Sequence, residues 1–283
     1  MYKKILLCTD GSPAADVASQ YAIWLAKKLG GGIRALYVTD IRILEGPMLA
    51  DLSGAIGAQP FPGLLPQYQE IQRDKATMLL DAVRQRCDEQ RVPCEVAHET
   101  GILVSKMLDY ERDADLVVLG QRGEHAPWIG EMLGSSVERM VRASIKPCLV
   151  TPAEFREIKH LLLAHDGSPE SGKALRAGID LAVALGAAVT VVTVCQREHE
   201  EEASKNLRAG EQLAMEHGLK AHAQLVHGHP ETEILAFQKK AGADLIVMGA
   251  YGHTRIREFV VGSTTSHVMR KATVPVLLWR GQK

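Results

Sequence analysis

Short runs of apolar residues alternate along the chain with longer segments in which apolar positions recur every three or four residues. Each run spans two to six residues and is mostly apolar. Such runs predict strands that are buried on both faces of a sheet. The predicted strands are 5–9, 33–38, 95–97, 116–119 and 149–150, followed by 161–165, 189–194, 223–226, 245–248 and 276–278.

Helix signals follow the first strand of each half. Ser12 and Ser168 suit the N-cap position, and the proline after each suits the first helical position. Gly30 ends the first amphipathic pattern. Further helical patterns cover 73–90, 203–217 and 265–271. The alternation of strands and helices predicts an α/β fold, with a parallel sheet covered by helices on both faces.

The chain contains an internal duplication. Residues 4–30 align without a gap on residues 160–186, and 12 of these 27 positions are identical. A second match places 114–123 over 243–252, so the offset falls from 156 to 129. We therefore expect two domains, 1–152 and 153–283, the first with an insertion over 41–67. This insertion is rich in Gly, Pro and Ala, and it serves either as a lid or partner surface or as a mobile connector.

A glycine pattern follows the fourth strand of the second half. Gly249 and Gly252 are followed after nine residues by Gly262 and Ser263, immediately before a helix. Glycine lets a ligand approach the backbone, and the free amides of a helix start attract an anion. In an open parallel sheet, ligands bind at the carboxyl ends of the strands, where this segment lies. The alternative is a glycine-rich connection required only for packing.

The first half departs from this pattern. Gly120 and Gly123 are followed by ten residues, not nine, before Gly134. Added loop length costs little, so both ends of the motif can keep their places. Alternatively, the side chain of Trp128, which lies in the longer segment, fills the ligand pocket of the first half itself.

These features together resemble the universal stress protein family, in tandem. The resemblance implies two Rossmann-like domains, each with a five-stranded parallel sheet flanked by helices. In the ATP-binding branch, the aspartate after the first strand and a valine at the end of the second hold the adenine side, and the glycine motif holds the ribose and phosphates. The matched positions in the second half are Asp166, Val194, Gly249, Gly252, Gly262, Ser263 and Thr264; those in the first half are Asp10, Val38, Gly120, Gly123, Gly134, Ser135 and Ser136. The family also implies pairing through the last strands, either within the tandem chain or in a homodimer.

Composition narrows the set of partners. With 33 Lys and Arg against 34 Asp and Glu, the net charge of −1 gives no general attraction to nucleic acid or to a membrane surface. The five cysteines form no C-x-x-C pair, so we expect reduced thiols and a cytoplasmic location. His227 and His229 lack the further ligands that a metal site needs.

The sequence favours an ATP-binding regulatory protein of the stress response, with or without Mg²⁺ and with an unidentified protein partner. No P-loop, G-x-S-x-G or H-E-x-x-H motif is present, so we expect at most slow ATP hydrolysis. A scaffold or interaction protein that binds no nucleotide is the alternative, and a nucleotide-hydrolysing enzyme of similar fold is the less favoured third.

Overall fold

The computed structural model describes residues 2–41, 64–122, 135–250 and 262–280. The strands are β1 (Lys4–Cys8), β2 (Gly32–Asp40), β3 (Cys94–Gly101), β4 (Leu116–Gly120), β5 (Cys148–Thr151), β6 (His160–Ala164), β7 (Ala188–Cys195), β8 (Ala221–His227), β9 (Leu245–Gly249) and β10 (Val276–Trp279). The α-helices are α1 (Pro13–Leu29), α2 (Leu64–Glu89), α3 (Leu103–Glu111), α4 (Ser135–Ala143), α5 (Pro169–Leu185), α6 (Glu200–Glu216), α7 (Pro230–Ala241) and α8 (Ser263–Lys271). A 3₁₀ turn, Arg197–His199, precedes α6.

All the strands belong to one sheet, with the order β3-β2-β1-β4-β5-β10-β9-β6-β7-β8. The five strands of each half are parallel to one another, which confirms the predicted α/β fold. The halves meet where β5 pairs with β10 in antiparallel register, Leu149 opposite Leu277. The last strands of the two halves therefore pair within a single chain.

The inner strands of the sheet are buried on both faces, whereas the edge strands β3 and β8 are partly exposed. Leu7 lies in a core cluster with residues of α1, α2, α5 and α6, whereas its neighbour Leu6 lies in a second cluster with residues of α3, α4, α7 and α8. Both side chains are at most 1% exposed. Inner strands such as β4, β6 and β9 read as continuous apolar runs for this reason: successive side chains point to opposite faces, and both faces are covered.

The predicted helix signals of α1 and α5 are confirmed. The Oγ atoms of Ser12 and Ser168 accept hydrogen bonds from the amides of Ala15 and Ser171, both at 3.2 Å. Gly30 ends α1 in the left-handed conformation, at φ 62°. These caps pair backbone groups that a helix end leaves without partners.

Helix α2 begins nine residues earlier than the predicted 73–90, so the end of the predicted insertion is helical. Pro66 lies in the first turn, where the missing amide costs no helical hydrogen bond, and residues 67–73 contain neither Gly nor Pro. The rest of the insertion, 42–63, lies outside the described residues.

Two glycines of α5 differ in what surrounds them. A Cβ on Gly172 would have no atom within 4 Å, whereas one on Gly178 would lie 2.6 Å from Leu163 Cδ2 and 3.1 Å from Val247 Cγ1. We expect Gly172→Ala to raise the free energy of unfolding by roughly 0.5–1 kcal/mol, because alanine has the higher helix propensity. Gly178→Ala should give no such gain, since the added methyl strains the packing against the sheet. Urea denaturation of the two variants tests this contrast, and equal stabilisation by both would contradict it.

Candidate functional site

A cleft of about 550 Å³ opens at the carboxyl ends of β6, β7 and β9 in the second half. This volume lies in the usual range for small-molecule sites. The lining residues come from the β6–α5 turn, the end of β7, the first turns of α6, the β8–α7 connection and the start of α8. The predicted residues Asp166, Val194, Gly249, Gly262, Ser263 and Thr264 all line it. The predicted Gly252 lies outside the described residues.

The β6–α5 turn fixes Asp166 at the mouth of the cleft. Its Oδ1 accepts a hydrogen bond from the amide of Ser168 at 2.9 Å, and Asn206 Nδ2 on α6 lies 3.4 Å from its backbone oxygen. Gly167 adopts φ +84°, and a Cβ there would lie 2.2 Å from Asn206 Nδ2. The turn therefore needs glycine both for its left-handed backbone and for the close approach of α6.

His165 lies beside Asp166 and also lines the cleft. Its Nδ1 is 2.9 Å from Ser171 Oγ, and that hydroxyl is 3.0 Å from the carbonyl oxygen of Ser168. If the hydroxyl donates to this carbonyl, it accepts from Nδ1–H, which leaves Nε2 unprotonated as a hydrogen-bond acceptor. Burial lowers the pKa of His165, and Asp166 only partly opposes this effect. The imidazole is therefore held in its neutral form near neutral pH.

The end of β7 is tied to the same turn. Thr193 Oγ1 donates to the carbonyl oxygen of His165 at 2.7 Å. Val194 follows and is half-buried at the cleft. This bond holds the ends of the neighbouring strands β6 and β7 together, so the predicted valine and aspartate share one wall.

The opposite wall is the start of α8. Gly262 is the N-cap, and no side chain there accepts a hydrogen bond from the first turn. Thr265, buried beneath this turn, donates through Oγ1 to the carbonyl oxygen of Gly249 at 3.3 Å. The end of β9 and the start of α8 are thereby joined, and the N-terminal end of the helix dipole borders the cleft.

In the first half the equivalent positions are only partly described. Asp10 Oδ1 accepts from the amide of Ser12 at 2.9 Å, as Asp166 does in the second half. Val38, Gly120 and Ser136 are half-buried. The predicted Gly123 and Gly134 lie outside the described residues; Ser135 is the first residue of α4, and its side chain is not described.

The two halves differ around this region. Gly11 and Gly167 occupy the same turn position; Gly11 faces Leu79 on α2, whereas Gly167 faces Asn206 on α6. Tyr37 on β2 occupies the position that Thr193 has on β7. Its hydroxyl donates a hydrogen bond to Gln72 Oε1 on α2 at 3.1 Å. Larger, less polar side chains thus stand in the first half where a threonine and an asparagine border the second-half cleft.

The sequence analysis missed His165, Thr193 and Asn206 as lining residues. His165 and Thr193 directly precede the predicted site residues Asp166 and Val194, so the same motif could have identified them. Asn206 is 40 residues from the turn it touches. The sequence indicates a role for Asn206 only when α6 is aligned on the equivalent helix of the first half, α2. At an offset of 127 residues, Asn206 then aligns with Leu79.

The universal stress protein family model matches residues 1–152 and again 157–280. The chain belongs to the universal stress protein family. The predicted resemblance is therefore confirmed, and this universal stress protein carries the domain twice.

Its relatives include proteins as long as this chain and proteins that match only about half of it. A universal stress protein of Synechocystis is 40% identical over 98% of this chain and all of its own length. One from Methanocaldococcus jannaschii is 30% identical over 44% of this chain and 84% of its own. A solved universal stress protein from Archaeoglobus fulgidus superposes with a TM-score of 0.78 at 22% identity over the whole of both chains, which supports the shared fold.

Two further properties concern the described part of this universal stress protein. None of the helices there combines the length and apolar character that crossing a membrane requires. Within the same residues, no three His, Cys, Asp or Glu side chains are grouped so that they could hold a metal ion.

The low pKa of His165 predicts a pH dependence of stability. In the unfolded chain, this histidine binds a proton near its ordinary pKa of about 6.5, whereas in the folded chain it does so only at a lower pH. The free energy of unfolding therefore falls as the pH falls through about 6.5. One such histidine contributes a slope of at most about 1.4 kcal/mol per pH unit. His98, whose pKa burial also lowers, adds a similar dependence.

His165→Thr introduces the residue of the equivalent position in the first half, Thr9, and tests the contribution of His165. Urea unfolding at pH 7.5 and 5.5 should show a smaller pH difference in this variant than in the unaltered chain. An unchanged difference would contradict the assignment.

Proposed function

We propose that the second-half cleft binds an adenine nucleotide, ATP in the first place, and that the protein is an ATP-binding regulator of the stress response. The main support for this proposal is that site residues predicted from separate parts of the sequence line the same cleft. They lie on the β6–α5 turn, on β7, on β9 and at the start of α8. A packing role for the glycines alone would not require Asp166 and Val194 to border the same space.

The chemistry of the two walls suggests the orientation of the ligand. Asp166 and Val194 form the polar and apolar parts of the wall that the family resemblance assigns to adenine. The start of α8 offers backbone amides without an obstructing Cβ at Gly262, which suits the phosphates.

Charge favours the magnesium complex over free ATP. The charged carboxylates among the described lining residues are Asp166 and Glu202, and none of these lining residues is Lys or Arg. A triphosphate needs countercharge in such a place, and Mg²⁺ supplies it while binding chiefly through phosphate oxygens and water. His253, Arg255 and Arg257, which follow Gly252 in the glycine motif, are further candidates for a phosphate contact, and they lie outside the described residues.

For the first half we propose weaker binding, or none, at Asp10, Val38, Gly120, Gly123, Gly134, Ser135 and Ser136. Tyr37 and Leu79 reduce both the space and the polar partners that Thr193 and Asn206 provide in the second half. The nucleotide would then act as a regulatory ligand of one half, without dedicated catalysis.

A scaffold role is the second candidate. Ile71 and Met78 on α2 are 62% and 67% exposed and lie seven residues apart, which places them on one face of the helix. Exposed apolar side chains on a common face suit a protein partner. Capture of a partner that persists without nucleotide, and is lost in Ile71→Ser/Met78→Ser, would favour this role.

Calorimetric titration of the full chain with ATP and Mg²⁺ tests the nucleotide proposal. We expect binding heat dominated by one site per chain and a rise in melting temperature that grows with ligand concentration, because the ligand binds the folded state. Chelating Mg²⁺ should weaken both effects. Absence of heat and of any melting shift at millimolar nucleotide would overturn the proposal, and released phosphate measured in the same samples reports any slow hydrolysis.

A further inference from the structure

Two of the five cysteines lie together at the junction of α2 and β3. Cys87, near the end of α2, is fully buried, and Cys94, the first residue of β3, is half-buried. Their thiol groups are neighbours, since a hydrogen bond between them is the largest influence on the pKa of each. Cys94 packs against the core cluster to which Cys87 belongs, and its Sγ also lies 3.7 Å from the carbonyl oxygen of Glu95. Both are free thiols in this structure. Their spacing of seven residues matches no redox motif, so the sequence did not reveal the pair.

The backbone on both sides of the pair is fixed. The carbonyl oxygen of Cys87 accepts hydrogen bonds from the amides of Gln90 at 3.1 Å and Val92 at 2.9 Å, which closes the end of α2. Cys94 is held in the sheet opposite Ile33 of β2. The contact between the thiols is therefore built into the fold and does not depend on a loose surface segment.

The second half contains the same junction without the sulfur atoms. Ala214 on α6 accepts a hydrogen bond from Leu219 as Cys87 does from Val92, and Ala221 begins β8 opposite Val189 as Cys94 begins β3 opposite Ile33. Both alanines are buried. The fold thus accepts two alanines at this junction, so packing alone does not require two thiols.

The two thiols are chemically unequal. The hydrogen bond from Cys87 lowers the pKa of Cys94, with help from Arg84, while burial, Asp88 and Glu95 oppose this. The same hydrogen bond, together with burial, raises the pKa of Cys87. Cys94 is also the more accessible of the two. The greater exposure of Cys94 suits it to the role of nucleophile, and the direction of its pKa shift agrees, since the thiolate is the reactive form. The fully buried Cys87 suits the role of the second thiol that resolves the product.

We propose that Cys87 and Cys94 form an oxidation site for hydroperoxides, at which the pair is converted to an intramolecular disulfide. The Cys94 thiolate attacks one peroxide oxygen, the O–O bond breaks, and Cys94 becomes a sulfenic acid while hydroxide, or alkoxide from an alkyl hydroperoxide, leaves. The sulfur of Cys87 then attacks the Cys94 sulfur, and the sulfenic oxygen leaves as water with the Cys87 proton. In total, two thiols and one hydrogen peroxide give one disulfide and two waters.

Titration of the full chain with hydrogen peroxide, followed by intact mass and peptide mapping, tests this site. We expect the chain to lose the mass of two hydrogen atoms, with the new bond between Cys87 and Cys94, and to recover its mass on reduction. Cys195 is the internal reference, because it is also half-buried and burial, with Glu200, raises its pKa. Cys94 should react at least about tenfold faster than Cys195.

Variants separate the roles of the two sulfurs. In Cys87→Ala, Cys94 should be oxidised more slowly, because the interaction with Cys87 that lowers its pKa is lost. Its sulfenic acid should nevertheless persist, because no second thiol resolves it, and be trapped by dimedone. Cys87→Ala/Cys94→Ala recreates the alanine pair of the second half, should fold, and should lose the fast oxidation. Equal oxidation rates at Cys94 and Cys195, or conversion of Cys94 to a sulfinic acid while Cys87 stays a thiol, would overturn the proposal.

Discussion

Gly262→Val is expected to remove measurable MgATP binding from the second half while the chain stays folded. Gly262 has φ −55° and ψ 144°, an extended conformation that valine also adopts, and the residue is only half-buried. The branched side chain would stand where the phosphates are proposed to approach the amides of α8. We expect affinity to fall at least about thirtyfold, equivalent to ~2 kcal/mol. Calorimetry and the melting shift with MgATP measure the loss.

A matched variant separates this effect from general damage. Gly172→Ala changes another glycine of the same half, on α5 and away from the lining of the cleft, and should bind MgATP as the unaltered chain does. Unchanged binding in Gly262→Val would show that the nucleotide sits elsewhere.

Leu277→Ala is expected to give the largest loss of stability, about 2–5 kcal/mol. Leu277 on β10 and Leu149 on β5 are each 1% exposed and lie opposite one another where the two halves join. Truncation removes buried apolar surface and leaves a cavity that rigid strands on both sides cannot fill. Urea unfolding measures the change. The double variant with Leu149→Ala should lose less than the sum of the single losses, because the two side chains share one space.

Ile71→Ala provides the reference for an exposed position. Ile71 is 62% exposed, so its truncation should change the free energy of unfolding by no more than about 0.5 kcal/mol. If Leu277→Ala lowered the free energy of unfolding as little as Ile71→Ala does, the interface between β5 and β10 would not form a continuous core in solution.

The sequence was most informative where local chemistry and burial agree. Residues 161–163 are apolar at every position because β6 is an inner strand, between β9 and β7, and is covered on both faces. Ser168 and the proline after it specify the start of α5 by their own hydrogen bonding and backbone preference. Helices α3, α4 and α7 were not predicted individually, because nine to twelve residues give only a weak helical periodicity. Helix α8 is as short as α3 and α4, but the glycine pattern before it marked its start.

Contacts between distant segments were the part that the sequence did not reveal. Gly249 followed from the strand–glycine pattern, because the carboxyl ends of parallel strands meet at one edge, whereas Asp166 followed from the resemblance to the family. Asn206 enters the site only through the packing of α6 against the β6–α5 turn, which no local pattern encodes. The contact between Cys87 and Cys94 likewise depends on how α2 ends and β3 begins.

Photoaffinity labelling with 8-azido-ATP and Mg²⁺, followed by peptide mapping of the full chain, tests the central claim most directly. The azide reports the residues beside the adenine ring. The account predicts ATP-competed labelling of second-half peptides that contain Asp166 or Val194. Labelling confined to the first half, or labelling that excess ATP does not reduce, would contradict it.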